Sequence, residues 1–358
     1  MIRTWTTTIL GAGPVGLITS LAAARRGPVT LVVKHWPPRP YKPRIDVLPG
    51  PFLTLLLELG IDPKQLGIES LHDTQLAAWD SARPALRRRP ASAHVERARL
   101  ELALAAAVDR NSRIMIKTGI DQRSSRAGDL VIDATGRAAV SARQLHAPRQ
   151  PWHAQTFGAA WSASKAAQEF RIAALPEGYA YRVGDARYLM VGVALCGTHF
   201  DPDQTEDYLR IHGAGWLLTG LPALASMRRG RGGVCSIQWS EGDQSPVRVG
   251  DASLARDSLA SQGISVGGAD ALQLASGAIT MSAWAERMAH QRQRHIAALS
   301  ATINQCRFND RSVWTEYAKF LANHSETATA SIATEPVGSR ELEGYQKTPS
   351  SGSPLLHV

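Results

Sequence analysis

The sequence predicts an α/β fold: a parallel sheet with helices, an inserted antiparallel sheet and a helical C-terminal part. At the start, an apolar strand ending at Leu10 leads into a glycine-rich turn, an alanine-rich helix and a β-branched strand over Val29–Val33. Residues 152–239 hold aromatic residues in alternating runs, which is typical of antiparallel strands. Residues 281–305 and 311–321 carry the patterns of helices.

The elements between these landmarks follow from apolar periodicity and from glycine or proline stops. Residues 17–26 are predicted to form the first helix, because the alanine-rich run ends at Gly27 and Pro28. The other predicted elements are helices over 52–59 and 97–108, short strands over 114–117 and 130–132, and a loop over 44–51.

The change of pattern along the chain divides it into four parts. Residues 1–150 are predicted to be the first part of a nucleotide-binding domain, and residues 151–240 an antiparallel sheet on the substrate side. Residues 241–323 return to the nucleotide-binding domain and add the C-terminal helices. Residues 324–358 are rich in Ser, Thr, Pro and Gly, which indicates a disordered tail.

Composition excludes several classes of protein. The formal net charge is +9, but the arginine cluster at 87–89 is not interleaved with aromatic residues, so we expect no nucleic-acid partner. No run of about 18 apolar residues is present, so we expect no membrane partner. The 3 cysteines lack a CxxC spacing, which argues against a zinc site or a disulfide framework and favours the cytoplasm.

Gly11, Gly13 and Gly16, with Pro14 and Val15 inside the motif, form Gly-x-Gly-x-x-Gly between a strand and a helix. In Rossmann-like folds, such a motif gives a tight turn, lets the backbone approach a pyrophosphate and lets the helix pack closely on the strand. The free N–H groups at the helix start then face the phosphates. The sequence therefore predicts a dinucleotide site, without separating NAD from FAD.

The second strand lacks the acidic residue that usually holds the adenosine ribose in such sites. Val33 stands at that position, and the next residue is Lys34. Lys34 is predicted to meet a phosphate or to stack near the adenine, but its ammonium cannot accept a ribose hydrogen bond. We therefore expect either weak cofactor binding or a compensating acceptor elsewhere.

Two further strand ends deliver carboxylates. Asp133 follows an apolar strand, and Asp251 follows a second short one. A carboxylate at such a position accepts hydrogen bonds from sugar-alcohol hydroxyls, which the ribityl chain of a flavin offers, so the segments together favour FAD. The cofactor-binding residues predicted from these segments are Asp133, Gly136, Gly250, Asp251, Gln262, Gly263 and Ile264.

Over residues 7–320 the chain resembles the FAD-dependent monooxygenase superfamily of the aromatic-hydroxylase fold, which has a Rossmann-like FAD-binding domain of the GR2 type. It is most similar to the tryptophan-halogenase-like branch, which includes flavoproteins that mature tryptophan-derived quinone cofactors. Beyond the glycine motif and the two Asp segments, the resemblance rests on a strap at Asp46–Pro49 and on an arginine-bearing helix start. The resemblance implies that Arg44, Asp46 and Arg97 also contact the cofactor.

The resemblance implies oxygen transfer from a flavin C4a-hydroperoxide to an electron-rich aromatic substrate, either a small molecule or a tryptophan of a peptide or partner protein. The reductant is NAD(P)H or a separate flavin reductase. Halogenation is disfavoured because residues 65–116, where the halogenase lysine falls, contain no lysine, and residues 179–184 lack the Trp-x-Trp-x-Ile-Pro motif. The alternatives are an FAD-dependent reductase of an apolar metabolite and a degenerate flavoprotein that acts as a binding or chaperone module.

No catalytic base is assigned from the sequence. The histidines considered in the substrate-side region are His153, His199 and His212, each of which is more often a surface or core residue. Several aromatic residues are candidates for a pocket that holds a flat substrate, with ordinary sheet packing as the alternative. They are Trp152, Trp161, Tyr179, Tyr181 and Trp239.

Overall fold

The computed structural model describes residues 6–38, 44–119, 129–144, 149–151, 154–163, 170–185, 187–196, 204–235, 237–240 and 246–332. In these ranges the strands are β1 (Thr7–Leu10), β2 (Val29–Val33), β3 (Ile45–Pro49), β4 (His72–Ala78), β5 (Ala85–Glu96), β6 (Ile114–Thr118), β7 (Leu130–Asp133), β8 (Arg149–Pro151), β9 (Ala154–Ala163), β10 (Phe170–Leu175), β11 (Gly178–Gly184), β12 (Tyr188–Cys196), β13 (Arg228–Cys235), β14 (Gln238–Ser240) and β15 (Val247–Arg248). The helices are α1 (Pro14–Ala23), α2 (Gly50–Glu58), α3 (Arg97–Asp109), α4 (Val140–Gln144), α5 (Thr205–Ile211), α6 (Asp251–Leu254), α7 (Ser265–Ala275), α8 (Met281–Asn304) and α9 (Ser312–Ile332).

The half of the structure that contains the glycine motif is built on a parallel five-stranded sheet, called sheet A, in the order β15-β7-β1-β2-β6. Its central strands are buried along almost their whole length, and Ile9 and Leu31 are each 0% exposed. Both faces of such strands need cover, which α1, α3 and α7 supply on one side. The predicted strand–turn–helix–strand unit at the start of the chain is confirmed.

The second sheet, called sheet B, has eight strands in the order β13-β9-β12-β11-β10-β4-β5-β3. Strands β9 to β13 pair antiparallel with one another, as predicted, whereas β10 pairs parallel with β4. Three of the strands, β3 to β5, come from before residue 150. The predicted substrate-side layer therefore extends beyond residues 151–240.

The loop predicted over residues 44–51 is wrong, because Ile45–Pro49 is a strand paired antiparallel with β5. Ile45 and Val47 are both buried and alternate along it, and the strand is too short for that alternation to stand out. The long strand β5 was also missed, because its run of three arginines resembles a charged surface segment.

The C-terminal helices α8 and α9 pack together and against sheet B. Two indoles fix this packing by donating to backbone carbonyls: Trp79 to Thr302 and Trp314 to Leu175, both at 2.8 Å. Helix α9 continues to Ile332, past the predicted start of the tail at residue 324. The rest of that predicted tail lies outside the described residues. None of the helices in the described ranges combines the length and apolar character needed to cross a bilayer.

Candidate functional site

A cavity of about 760 Å³ opens at the carboxyl edge of sheet A and is closed on its other side by sheet B. Residues that follow β1, β2, β7 and β15 line it, as the rule for ligands of open parallel sheets requires. Its volume lies in the upper part of the range for ligand sites, about 300–1,000 Å³. An extended dinucleotide needs a site of this size.

The glycine turn after β1 has the geometry that the motif predicts. Gly11 has φ +103°, a value that favours glycine, and a Cβ at residue 16 would lie 2.1 Å from the Gly11 carbonyl oxygen. Gly13 has no heavy atom within 4 Å of the position its Cβ would take, so its backbone faces open space in the cavity. Helix α1 begins at Pro14 with no acidic residue in its first turn, so its positive end is free to attract phosphate.

An ion pair between the strap strand β3 and the start of α3 forms one wall of the cavity. The Arg97 guanidinium donates to both carboxylate oxygens of Asp46, with Nη2 at 2.7 Å from Oδ1. Burial acts to raise the pKa of Asp46, but the charge and hydrogen bonds of Arg97 outweigh it and hold that pKa below its ordinary value. Arg44 adds a second, more exposed cation, with Nε 3.6 Å from Asp46 Oδ1.

Glu101 lies one helical turn after Arg97 and also lines the cavity. It is 3% exposed, and neither of its carboxylate oxygens has a hydrogen-bond partner among the described residues. Burial raises the pKa of Glu101 to about 7, although the charge of Arg97 acts against this. No sequence motif marks Glu101 as a site residue; the one signal is its i, i+4 spacing from Arg97 on a predicted helix.

The two carboxylates predicted to hold ribityl hydroxyls have different surroundings. Asp251 lines the cavity beside Gly263, and its Oδ2 lies 3.6 Å from Nε of Arg137. Asp133 lies outside the lining: its Oδ1 accepts from the backbone and hydroxyl of Thr135, and its Oδ2 accepts from the Ser141 backbone at 2.7 Å. Asp133 therefore stabilises the turn after β7 in the structure.

The face of sheet B that closes the cavity carries three aromatic rings. Phe170 of β10 stacks on Tyr181 of β11 with ring centroids 6.3 Å apart, and Tyr179 lies 6.4 Å from Tyr181. Gly192 on the neighbouring strand makes room, because a Cβ there would lie 2.5 Å from Cζ of Tyr181. We call Phe170, Tyr179 and Tyr181 the aromatic wall.

Of the other aromatic candidates, Trp161 and Trp239 are buried in the core outside the cavity lining. Trp152 lies outside the described residues. Among the histidines, His153 and His199 also lie outside them, while His212 packs on Tyr208, with ring centroids 4.5 Å apart, away from the lining.

Hydrogen bonds at the neighbouring residues Asp257 and Ser258 lie between the aromatic wall and helices α8 and α9. The hydroxyls of Tyr179 and Ser258 are 2.5 Å apart, and Asp257, next in the lining, accepts from the Tyr317 hydroxyl of α9 at 2.6 Å. The Asp257 backbone N–H donates to Nε2 of His295 at 3.1 Å, which fixes that ring as an acceptor. Burial raises the pKa of Asp257 above its ordinary value.

Most of the predicted cofactor residues meet at this cavity. Those that line it are Gly11, Gly13, Pro14, Val15, Lys34, Arg44, Asp46, Arg97, Gly136, Asp251, Gln262, Gly263 and Ile264. Gly16, Asp133 and Gly250 support the surrounding turns instead. The open backbone at Gly13, the cations beside it and the carboxylate of Asp251 at the other end fit a dinucleotide that carries a sugar-alcohol chain. The residues present therefore fit FAD.

No protein-family model and no curated protein sequence matches the chain. Solved structures do. A peptidyl tryptophan dihydroxylase essential for tryptophylquinone cofactor biogenesis is 18% identical, with a TM-score of 0.68, over 88% of this chain and 79% of that one. A tryptophan halogenase from Shewanella frigidimarina is 13% identical, with a TM-score of 0.70, over 92% and 83%. A flavin-dependent halogenase from Xanthomonas campestris is 14% identical, with a TM-score of 0.68, over 96% and 87%.

The protein has the fold of these halogenases and of the dihydroxylase. The predicted α/β fold class is therefore confirmed. At such identities the likeness establishes the fold, and the reaction must be argued from the cavity itself.

Proposed function

We propose that the protein is an FAD-dependent monooxygenase that hydroxylates an electron-rich aromatic substrate. The observation that carries the proposal is that one cavity joins a dinucleotide cradle to the aromatic wall. A reduced flavin, when bound, supplies the activation of O₂ for transfer of one oxygen atom. The described residues supply binding, orientation and protection from water.

In this proposal the two ends of the cavity have separate tasks. The glycine turn and the start of α1 bind the pyrophosphate, with Arg97 nearby, and Asp251 accepts hydrogen bonds from ribityl hydroxyls. The backbone of 261–264, just before α7, faces the flavin ring. The aromatic wall stacks on a flat substrate, which orients it and excludes water.

Hydroxylation of an aromatic carbon requires the loss of a proton from that carbon. Asp257 lies in the lining, and its raised pKa makes its carboxylate a better proton acceptor than an exposed one. The Tyr179 hydroxyl, which is 2.5 Å from that of Ser258 and also interacts with the Asp257 carboxylate, relays the proton. We therefore propose Asp257 Oδ2 as the site that takes the proton.

The lining also favours hydroxylation over halogenation. Lys34 is the single lysine among the described residues that line the cavity. It follows β2, on the opposite side of the glycine turn from Asp251. Halogenases of the branch that the sequence resembles use a lysine to handle hypohalous acid. No ammonium group of the described lining stands at the aromatic wall, so that chemistry has no support here.

For the substrate, we propose a tryptophan side chain carried by a peptide or partner protein. The support is the fold shared with a protein whose substrate is a peptidyl tryptophan, together with an aromatic wall suited to an indole. A small aromatic molecule is the other substrate that the wall accommodates.

The test uses the full chain loaded with FAD, with NADH or a separate flavin reductase as the source of electrons. Free tryptophan, simple phenols and tryptophan-containing peptides are compared by oxygen consumption and by mass spectrometry. We expect one or two oxygen atoms on a peptidyl tryptophan, and Tyr181→Ala should raise KM while Tyr188→Ala, outside the lining, should not.

Each alternative has its own outcome in this test. If only small aromatic molecules give product, the substrate is a small molecule and not a peptide. If halide is incorporated into the product, the reaction is halogenation and not hydroxylation. A flavin-loaded protein that never consumes oxygen with reductant and substrate present would overturn the oxygenase. Oxygen-independent reduction of an apolar metabolite would show that the protein is a reductase. If the protein binds no flavin, the remaining alternative is a binding or chaperone module.

A further inference from the structure

The adenosine end of the cavity lacks the acceptor that Rossmann-like sites use for the ribose. Val33 closes β2 and is 1% exposed, and the next residues, Lys34 and His35, are exposed at the rim of the lining. An apolar side chain and an ammonium offer no acceptor to the ribose hydroxyls, and a neutral His35 ring offers a single acceptor nitrogen. A carboxylate that accepts from both hydroxyls has to come from another element.

The described residues of the lining include four carboxylates, of which two have hydrogen-bond partners and one lies at the other end of the cavity. Asp46 accepts from Arg97 through both oxygens, and Asp257 accepts from Tyr317 and from the backbone N–H of residue 259. Asp251 starts α6, after β15, on the far side of the glycine turn. Glu101 remains, with both oxygens lacking a hydrogen-bond partner among the described residues.

The topology places Glu101 on the side of β2. Helix α3 is followed after a short turn by β6, which pairs parallel with β2, so its first turns lie at the carboxyl edge of sheet A. Helix α1 contacts both α3 and α7, so α3 covers the β2–β6 side and α7 the β7–β15 side. Glu101 therefore lies at the carboxyl edge of sheet A, on the same side of the glycine turn as the strand that lacks its acid.

An unpaired buried carboxylate is unfavourable in the free protein, because burial removes water and nothing in the described residues replaces it. The charged groups that face Glu101 are Arg97 on its own helix, Asp46 on β3 and Arg44 just before β3. None of them donates a hydrogen bond to it. A ribose diol offers two hydroxyl donors to two carboxylate oxygens, and so satisfies both at once.

We propose that Glu101 accepts hydrogen bonds from the adenosine ribose hydroxyls of FAD, in place of the missing carboxylate at the end of β2. This inference rests on the proposed FAD cofactor. It explains how a site without the usual acid holds the adenosine, and it makes Glu101 a binding residue that the sequence motifs do not reveal.

The test measures binding to the full chain freed of flavin, by fluorescence quenching for FAD and FMN and by competition for ADP and 2′-deoxy-ADP. The variants are Glu101→Leu, Glu101→Gln and, as a charge-matched control, the exposed Glu69→Gln outside the lining. We expect Glu101→Leu to weaken FAD and ADP about 10- to 100-fold, Glu101→Gln to weaken them less, and the control to leave them unchanged.

The two ADP ligands separate direct contact from an indirect effect. Wild type should bind ADP about tenfold more tightly than 2′-deoxy-ADP, and this preference should vanish in Glu101→Leu. FMN, which has no adenosine, should bind all variants alike. An equal loss for both ADP ligands, or a loss for FMN, would mean that Glu101 acts through Arg97, and would overturn the proposal.

The pH dependence of FAD affinity is a second test, in which the direction of the change decides the result. It needs only the polar variant Glu101→Gln. If the ionised carboxylate accepts the hydroxyls, FAD affinity rises as the pH increases from about 6 to about 8. The rise should be absent in Glu101→Gln. Because this variant keeps His35, the comparison assigns the rise to Glu101 and not to His35. A fall in affinity over that range would mean that protonated Glu101 donates to a phosphate, which would overturn the proposal.

These results are independent of turnover. A protein that binds FAD through Glu101 and never consumes oxygen overturns the monooxygenase alone. A protein that consumes oxygen and shows no Glu101-dependent discrimination overturns this inference alone, and a chain that binds neither FAD nor ADP overturns both.

Discussion

Replacing Glu101 by glutamine should change how the stability of the flavin-free protein depends on pH. Burial raises the pKa of Glu101 from 4.5 to about 7 in the folded protein, and the side chain is only 3% exposed, so solvent screening is small. The folded state therefore holds the proton more tightly than the unfolded state, and this difference corresponds to about 3 kcal/mol. The stabilisation is fully present below about pH 4.5 and is lost as pH rises to about 7.

The assay is urea unfolding of both proteins at a series of pH values, compared at unchanged m-value. Glu101→Gln has no proton to lose, so it should match wild type near pH 4.5 and exceed it by about 3 kcal/mol at pH 8. His94 and His295, whose pKa values burial lowers to about 3, oppose this trend in both proteins and cancel in the difference. A difference that stays flat over pH 4.5–8 would refute the reasoning about the unpaired carboxylate.

Three further predictions concern the cavity and its support. Tyr179→Phe should lower the rate of product formation about tenfold without changing FAD affinity, because it removes the hydrogen bond to Ser258; stopped-flow kinetics and FAD titration check this. Tyr317→Phe leaves Oδ2 of Asp257 without its donor, so it should cost about 1–3 kcal/mol in urea unfolding and move the pH–rate profile to higher pH. Gly16→Ala should abolish FAD retention on gel filtration, since the new Cβ would lie 2.1 Å from a backbone oxygen.

The sequence predicted sheet A well because its signals are local. Four of the five residues in the strand Val29–Val33 are β-branched, and the glycine motif is complete within six residues. Sheet B was predicted only over β9 to β13, because β3 to β5 join it through pairings that no local pattern shows. The three arginines within β5 have different environments: Arg89 is buried, with its guanidinium 5.0 Å from the centroid of the Phe170 ring. A run of charged residues therefore does not exclude a strand.

The same limit applies to the candidate site. Local motifs identified the glycine turn and the strand ends that line one part of the cavity. Asp133 looked equivalent to Asp251 in sequence, since both follow short strands, but only the fold shows that its oxygens are already used by Thr135 and Ser141. Glu101 had no motif at all, and its importance follows from burial and from the partners it lacks.

The substrate side depends on helices that the chain reaches last. Asp257 follows α6 in the chain. It forms hydrogen bonds with Tyr317 of α9 and His295 of α8. Both of these side chains are nine-tenths buried or more, so they cover the carboxylate on the side of α8 and α9. The low pKa of His295 keeps its ring neutral, and a neutral ring can accept from the Asp257 backbone. A cation there would instead lower the pKa of Asp257 and weaken it as a proton acceptor. The C-terminal helices thus form part of the proposed reaction centre, in addition to packing against sheet B.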